Sequence, residues 1–284
     1  MIQENPRPML PARDPEAHKG RHGHVLVVGG SVGYSGAPRL AALGASAAGA
    51  GLVSIVTPEP VRAEIADFDP TFMVHGLPST SSGTFGWSAL RPLDAATSER
   101  DVWVAGPGCG RHPATDALLR RLVESADRPG VCDADALNAW ADVPAREEST
   151  AGPRVFTPHP GEAARLLDCS TAEIQADREG AVSELHAQLG GVVMLKGAGS
   201  LITDGDRFVR NGTGNAALAV GGSGDVLAGM IAGLMAQGLP AFDAACAAVW
   251  LHGRAADELV AGGRSARGIS ARDVVKALRF VVAG

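Results

Sequence analysis

Gly221-Gly222-Ser223-Gly224-Asp225-Val226-Leu227-Ala228-Gly229-Met230-Ile231-Ala232-Gly233-Leu234 sets a small-residue turn directly against an apolar, alanine-rich stretch of helical character. A turn that opens a helix in this way aims several backbone N–H groups at one point. That point is the positive end of the helix dipole, equivalent to roughly half an elementary charge, and it suits an oxyanion or a phosphate. Glycines let the backbone approach an anion closely and reach φ > 0 without a Cβ penalty. Asp225, a carboxylate at the mouth of such a site, would repel a phosphate; it makes more sense as a base taking the proton of an attacking hydroxyl. The plainer reading is a turn with an aspartate capping the helix. On this stretch alone both readings stand.

The rest of the chain follows one pattern. His24–Val28 is a short β-branched run ended by Gly29-Gly30, the signal of a buried strand. A glycine-rich turn from Ser31 to Gly36, a small-residue helix over 37–50 and a strand over 52–57 complete a βαβ unit. A helix-like stretch then runs through Ala66, and 76–88 reads as a Ser/Gly/Thr-rich loop. Further strands are expected at 102–105, 130–132, 155–157 and 192–195. They end in Gly106-Pro107-Gly108-Cys109-Gly110, Asp133-Ala134-Asp135, Pro158-His159-Pro160-Gly161-Glu162 and Lys196-Gly197. Helices are expected near 114–126, 161–168, 171–189, 242–260 and 271–280, and Leu201–Arg210 reads as a hairpin around Asp204-Gly205. Alternating strands and helices predict an α/β fold, a mostly parallel sheet flanked by helices. The glycine-rich turns fall at the C-terminal edge of that sheet, where open α/β sheets bind ligands. Residues 1–20, with Pro6, Pro8, Pro11 and Pro15, read as an N-terminal arm, and 21–284 as one domain without repeat or linker.

Composition narrows the function. With 284 residues, 45% of them hydrophobic, and a mean hydropathy of +0.08, the chain can build a sizeable core. Aromatics are only 4%, so packing rests on Ala, Val, Leu and Gly. A net charge of −6 and a pI near 5.7 argue against a general nucleic-acid binder. An anionic ligand must then be held by local dipoles and a few basic residues. Four cysteines (Cys109, Cys132, Cys169, Cys246) lie far apart without C-x-x-C spacing, which indicates neither zinc nor a disulfide framework. The polar, proline-rich start lacks an apolar signal-peptide core, and no apolar run is long enough for a membrane span, so a cytoplasmic protein is expected.

Several turns carry competing readings. Gly29-Gly30-Ser31-Val32-Gly33 matches the nucleophile elbow G-x-S-x-G, but it follows the first strand, where that fold does not place its elbow. No dinucleotide fingerprint occurs at this turn and no P-loop occurs anywhere. Three alternate glycines at 106, 108 and 110 suggest close approach of the backbone to a ligand. Asp135 reads most simply as a helix cap, and Asp133 could face a metal bound to phosphates. His159 and Glu162 sit in a turn stiffened by two prolines, and Lys196 places a cation beside a flexible turn, as a nucleotide phosphate would require.

Taken together and in order, these segments resemble the NAD(P)H-hydrate dehydratases of the ribokinase-like superfamily. The residues that carry the likeness include Tyr34-Ser35-Gly36-Ala37-Pro38, Gly106-Pro107-Gly108, Asp133-Ala134-Asp135-Ala136-Leu137-Asn138 and Thr157-Pro158-His159-Pro160-Gly161-Glu162. They continue through Lys196-Gly197, Thr213-Gly214-Asn215 and Gly222-Ser223-Gly224-Asp225-Val226-Leu227 to Leu251-His252-Gly253. The resemblance implies a three-layer sandwich and a repair reaction. The C6 hydroxyl of hydrated NADH or NADPH (NADHX, NADPHX, S-form) is phosphorylated from ADP, and loss of phosphate restores the double bond, with AMP released. It implies that Ala37, Gly108 and His159 contact the hydrate and that Lys196, Gly197, Ala198, Gly199, Ser200 and Gly224 hold the nucleotide. Asp225 would act on the hydroxyl. Glu162 stands where related kinases carry a magnesium-organising carboxylate, so Mg²⁺ would be held through water. Relatives often have threonines where this chain has Gly199-Ser200. The resemblance further implies a homotetramer and cooperation with a separate NAD(P)HX epimerase. The rival readings are a vitamin-precursor kinase of the same superfamily and a nucleotide-binding regulatory module without turnover.

Overall fold

The valine-rich runs form the strands expected of them. The structure, a computed structural model, describes residues 2–141 and 152–282. Its strands are β1 (Gln3–Glu4), β2 (His24–Val28), β3 (Leu52–Pro58), β4 (Met73–Leu77) and β5 (Val102–Ala105), followed by β6 (Gly130–Cys132), β7 (Arg154–Phe156), β8 (Val192–Leu195), β9 (Leu201–Thr203) and β10 (Phe208–Arg210). The helices are α1 (Gly36–Ala47), α2 (Glu59–Ala66), α3 (Leu90–Ser98), α4 (Pro113–Ser125), α5 (Asp135–Ala141) and α6 (Pro160–Leu166). After them come α7 (Thr171–Ala176), α8 (Arg178–Leu189), α9 (Ser223–Ala236), α10 (Ala241–Ala261) and α11 (Ala271–Val281).

Among the described residues the strands form one ten-stranded sheet in the order β1-β10-β9-β8-β7-β6-β5-β2-β3-β4. From β2 to β8 all pairings are parallel, whereas the β9–β10 hairpin runs antiparallel at one side, so the sheet is mixed. Strand order reverses at β2, which lies between β3 and β5. The side-chain period of two splits each strand between two cores. Val25 and Val27 face one core, built with α1, α9, α10 and α11; Leu26 and Val28 face the other, built with α4, α5 and α8. The result is the expected three-layer sandwich.

On the first face α1 and α9 pack backbone to backbone. A Cβ on Gly229 would lie 1.9 Å from the Ala41 carbonyl oxygen, and one on Gly44 would lie 2.1 Å from that of Val226. The alanine-rich composition thus serves close helix approach, and it seats the start of α9 over the C-terminal edge of the sheet.

The differences from expectation are local. The loop expected over 76–88 begins inside an unexpected edge strand, β4, whose exposed faces and Gly76 leave little apolar signal. Helix α3 was likewise not anticipated; only Leu93 and Thr97 are buried, one turn apart. The single helix expected over 171–189 is two, because Asp177 breaks it and caps α8 by accepting from Gly180 N at 2.8 Å. Within the arm, β1 pairs with β10, and Asn5 Nδ2 donates to Asn211 Oδ1 (3.1 Å) and to the Cys246 carbonyl (2.9 Å). Among the described residues, no helix is long and apolar enough to cross a membrane.

Candidate active site

Three parallel strands deliver the polar centre. Asp133 follows β6, Thr157 to Glu162 follow β7, and Lys196 follows β8, all at the C-terminal edge of the sheet. Asp133 is 2% exposed, and its Oδ1 accepts from Lys196 Nζ at 2.5 Å and from the Thr157 hydroxyl at 2.9 Å. Lys196 Nζ also lies 3.8 Å from Glu162 Oε2. A buried carboxylate is costly unless it is paired and hydrogen-bonded, and Asp133 is both.

The prolines around His159 hold a reciprocal cap on α6. His159 Nδ1 accepts from the backbone N–H of Gly161 (3.0 Å) and Glu162 (3.3 Å), and Glu162 Oε2 accepts from His159 N at 2.8 Å. This is a capping box with histidine in the place of serine. Because Nδ1 accepts twice, the ring proton sits on Nε2, which lies 3.4 Å from Glu162 Oε1. Burial first, then the nearby Lys196 charge, lowers the His159 pKa, so the imidazole is neutral. His159 therefore caps α6 and also lines the cleft beside the start of α9.

The glycine turn arrives over this centre. Gly222, at φ 86, is the N-cap of α9 and no side chain caps the helix, so Asp225 is not the cap that the plainer reading required. A Cβ on Gly224 would lie 3.4 Å from Lys196 Nζ and 3.9 Å from Asp133 Oδ2, which sets the positive end of α9 against the Lys196–Asp133 pair. Beside it opens a cleft of about 870 Å³ lined by Lys196, Gly197, Ala198, Gly199, Ser200, Gly224 and His159. Its apolar wall includes Leu218, Val220, Leu227 and Val249. Ala37 and Gly108 lie outside this lining but against each other: a Cβ on Gly108 would approach Ala37 Cβ to 3.1 Å. Leu40, one turn along α1 from Ala37, touches Gly222, which places that pair on the other flank of the α9 start.

The clustering shifts the acids. Burial, reinforced by Asp133 and only partly offset by Lys196, pushes Asp225 up to about 7. Burial likewise pushes Glu162, 5% exposed, up to about 7 against the pull of Lys196. For Lys196, burial opposes the charge, but Asp133 and Glu162 outweigh it and hold the ammonium above its usual value. A base poised near neutrality beside an anion cradle can accept a hydroxyl proton while a phosphate is transferred.

The same residues lie inside a known family pattern. The family model for NAD(P)H-hydrate dehydratase matches residues 25–279. The chain belongs to that family. The ADP-dependent (S)-NAD(P)H-hydrate dehydratase of Neisseria meningitidis is 40% identical over 276 residues, 95% of this chain and 88% of that protein. The bifunctional NAD(P)H-hydrate repair enzyme Nnr of Moorella thermoacetica is 44% identical over 278 residues, 97% of this chain and 52% of that enzyme. The chain spans about half the length of the curated bifunctional relatives it matches. Among solved structures, the ADP/ATP-dependent NAD(P)H-hydrate dehydratase of Bacillus subtilis, co-crystallised with ATP/Mg²⁺, superposes with a TM-score of 0.82 at 32% identity, covering 96% of this chain and 93% of that one.

In this NAD(P)H-hydrate dehydratase fold, other turns find plain roles. Ser31 Oγ donates to the Gly108 carbonyl at 2.8 Å, so the apparent nucleophile elbow is a strut for the 106–110 turn. Asp135 opens α5, and its Oδ2 accepts from Gly110 N at 2.8 Å, bracing the same turn rather than simply capping a helix. Sequence reasoning set Asp133 towards a phosphate-bound metal, whereas its Oδ1 is taken by Lys196, and it passed over Thr157 and the Ser223–His252 pair at 3.4 Å in the cleft wall. Their signal was present in the Asp-Ala-Asp strand end and the Leu-His-Gly block. Neither shows, without the fold, which strand end faces which.

Proposed function

We propose that this protein restores NADH and NADPH from the S-forms of NADHX and NADPHX, consuming ADP and releasing AMP and phosphate. The observation that carries the reading is the start of α9, with Gly224 and Asp225, set against Lys196 at the mouth of a nucleotide-sized cleft. The cleft takes ADP, with its base against the apolar wall and its phosphates between the 196–200 turn and the α9 terminus. The hydrate enters from the flank of Ala37 and Gly108, with His159 donating from Nε2. Asp225 takes the C6 hydroxyl proton as that oxygen attacks the terminal phosphorus and the bond to AMP breaks. The phosphate then leaves from C6 as the ring double bond re-forms with loss of a ring proton.

Mg²⁺ fits this donor set in one manner. Among the described residues, no three His, Cys, Asp or Glu side chains gather to hold a metal on their own. Magnesium commonly rides on substrate phosphates with one or two carboxylates and retained waters, and Glu162 is a buried hard-oxygen donor next to the cleft. Bound there, Mg²⁺ would neutralise charge on the transferring phosphate. The reading extends to a homotetramer working in the cytoplasm, where all four cysteines being free suits a reducing compartment. A separate epimerase would convert the R-form into the epimer used here.

The test is to incubate the protein with NADHX, ADP and Mg²⁺ and follow reduced-nicotinamide absorbance, AMP and phosphate. Recovery of NADH with equal AMP and phosphate is expected. Accumulation of a stable phosphorylated product would mark a kinase, and ADP binding without AMP release a regulatory module.

A further inference from the structure

We propose that Asp133 is a positioning residue for phosphoryl transfer, its carboxylate holding the Lys196 ammonium at the head of α9. The inference rests on the reading above, which assigns Asp133 no role. Asp133 Oδ1 receives the ammonium at 2.5 Å, while the Thr157 hydroxyl at 2.9 Å ties the same oxygen to the end of β7. Three adjacent strand ends are thereby fixed to one another, and the Lys196 ammonium is aimed at Gly224, whose Cβ position is 3.4 Å from Nζ. A lysine on a flexible stem loses much rotamer freedom when it is held, so a fixed ammonium needs a fixed partner.

The backbone is built to seat that partner. Ala134 has φ 50; among the described residues, it and Asp168 are the two non-glycine residues with positive φ. Left-handed alanine is strained, and strain of this kind persists only where surrounding structure imposes it. It lies between two carboxylates that serve different loops, Asp133 turned to Lys196 and Asp135 to Gly110. On the opposite side, Gly106 admits the turn, since a Cβ there would lie 1.8 Å from the Asp133 carbonyl oxygen. A mere ion pair at a strand end would need neither feature.

A double-mutant cycle of Asp133→Asn and Lys196→Met tests the proposal, with turnover on NADHX and ADP affinity by calorimetry as readouts and unfolding midpoints as the control for folding. Asparagine keeps the size and can still accept from Thr157, but it removes the negative charge that pairs with the ammonium. Asp133→Asn is expected to lower kcat by about 10²-fold, the scale of a misplaced reacting group, with KM for hydrate nearly unchanged. In the Lys196→Met background the same substitution should change neither kcat nor ADP affinity by more than ~2-fold, because its partner is already absent. Additive losses in the two backgrounds would overturn the proposal. If Asp133→Asn does not fold, Thr157→Val decides, since it retains every charge and removes only the hydroxyl that orients the carboxylate. A drop in kcat of about tenfold at constant KM supports positioning, and parental kcat refutes it. Absence of turnover in the parent protein would count against the proposed reaction; the cycle is then read on ADP affinity alone, where additivity again overturns the role of Asp133.

Discussion

Asp225 and Glu162 are both acids raised by burial, yet their surroundings give them different work. Asp225 sits at the third helical position of α9 without a capping bond, raised to about 7 by burial and then by Asp133. Only its ionised form can accept the hydroxyl proton, so kcat/KM should rise with pH through about 7. Asp225→Asn should cost about 10²–10⁴ in turnover and abolish that rising limb. ADP affinity should hold or improve, since a negative charge has left the neighbourhood of the phosphates. Turnover within a few-fold of the parent, or a retained limb, would remove Asp225 from the base role. Glu162, by contrast, accepts from His159 N through one oxygen and lies 3.4 Å from His159 Nε2 through the other. Glu162→Gln preserves the cap but weakens an outer-sphere hold on Mg²⁺, so the Mg²⁺ needed for half-maximal turnover should rise about 10–100-fold. The KM for hydrate should barely move. A magnesium titration that overlays that of the parent would leave Glu162 as a helix-capping residue only.

At the scale of elements, α9 is held by the absence of side chains. Its contact with α1 runs through Gly229 and Gly44, each with a facing carbonyl within 2.1 Å of the missing Cβ. Gly229→Ala should raise helix propensity by about 1 kcal/mol, but the facing atom is backbone and cannot swing aside. Overpacking of this kind costs typically 1–3 kcal/mol, so the net expectation is destabilisation with a lower urea midpoint. A midpoint equal to or above that of the parent would show that the helix pair can separate freely. Because α9 also carries Gly224 and Asp225, turnover should fall by more than the unfolded fraction explains. The hairpin side of the sheet follows a different logic: β1 from the arm covers β10, and Asn5 ties it to Asn211 and α10 beside the cleft.

For the molecule as a whole, one buried and one half-buried histidine oppose acid. Burial lowers both His252, in the cleft wall, and His24, on β2, from 6.5 to about 4. In the folded protein they bind fewer protons than in the unfolded chain between these values. Their contribution is therefore present above about 6.5 and is lost as pH falls towards 4. For fully enclosed His252, a shift of this size corresponds to about 3 kcal/mol at pH 4; His24, half-buried, contributes less. His252→Gln should flatten the fall of Tm between pH 6.5 and 4, and an unchanged slope would place the acid sensitivity elsewhere. The sequence by itself determined a mostly parallel sheet flanked by helices, because short valine-rich runs alternate with helical stretches. It also offered an anion cradle as one of two readings, because a glycine turn before a helix leaves backbone N–H groups at the positive end of the dipole wherever it lies. Tertiary structure alone decided which strand ends meet. Asp133, Thr157 and Lys196 are separated by 24 to 63 residues, and nothing in their local sequence states that β6, β7 and β8 are neighbours. It also decided that Asp135 braces a turn, that Ser31 is a strut and that the arm joins the sheet. Each depends on a hydrogen bond to a backbone group distant in sequence, which residue periodicity does not encode.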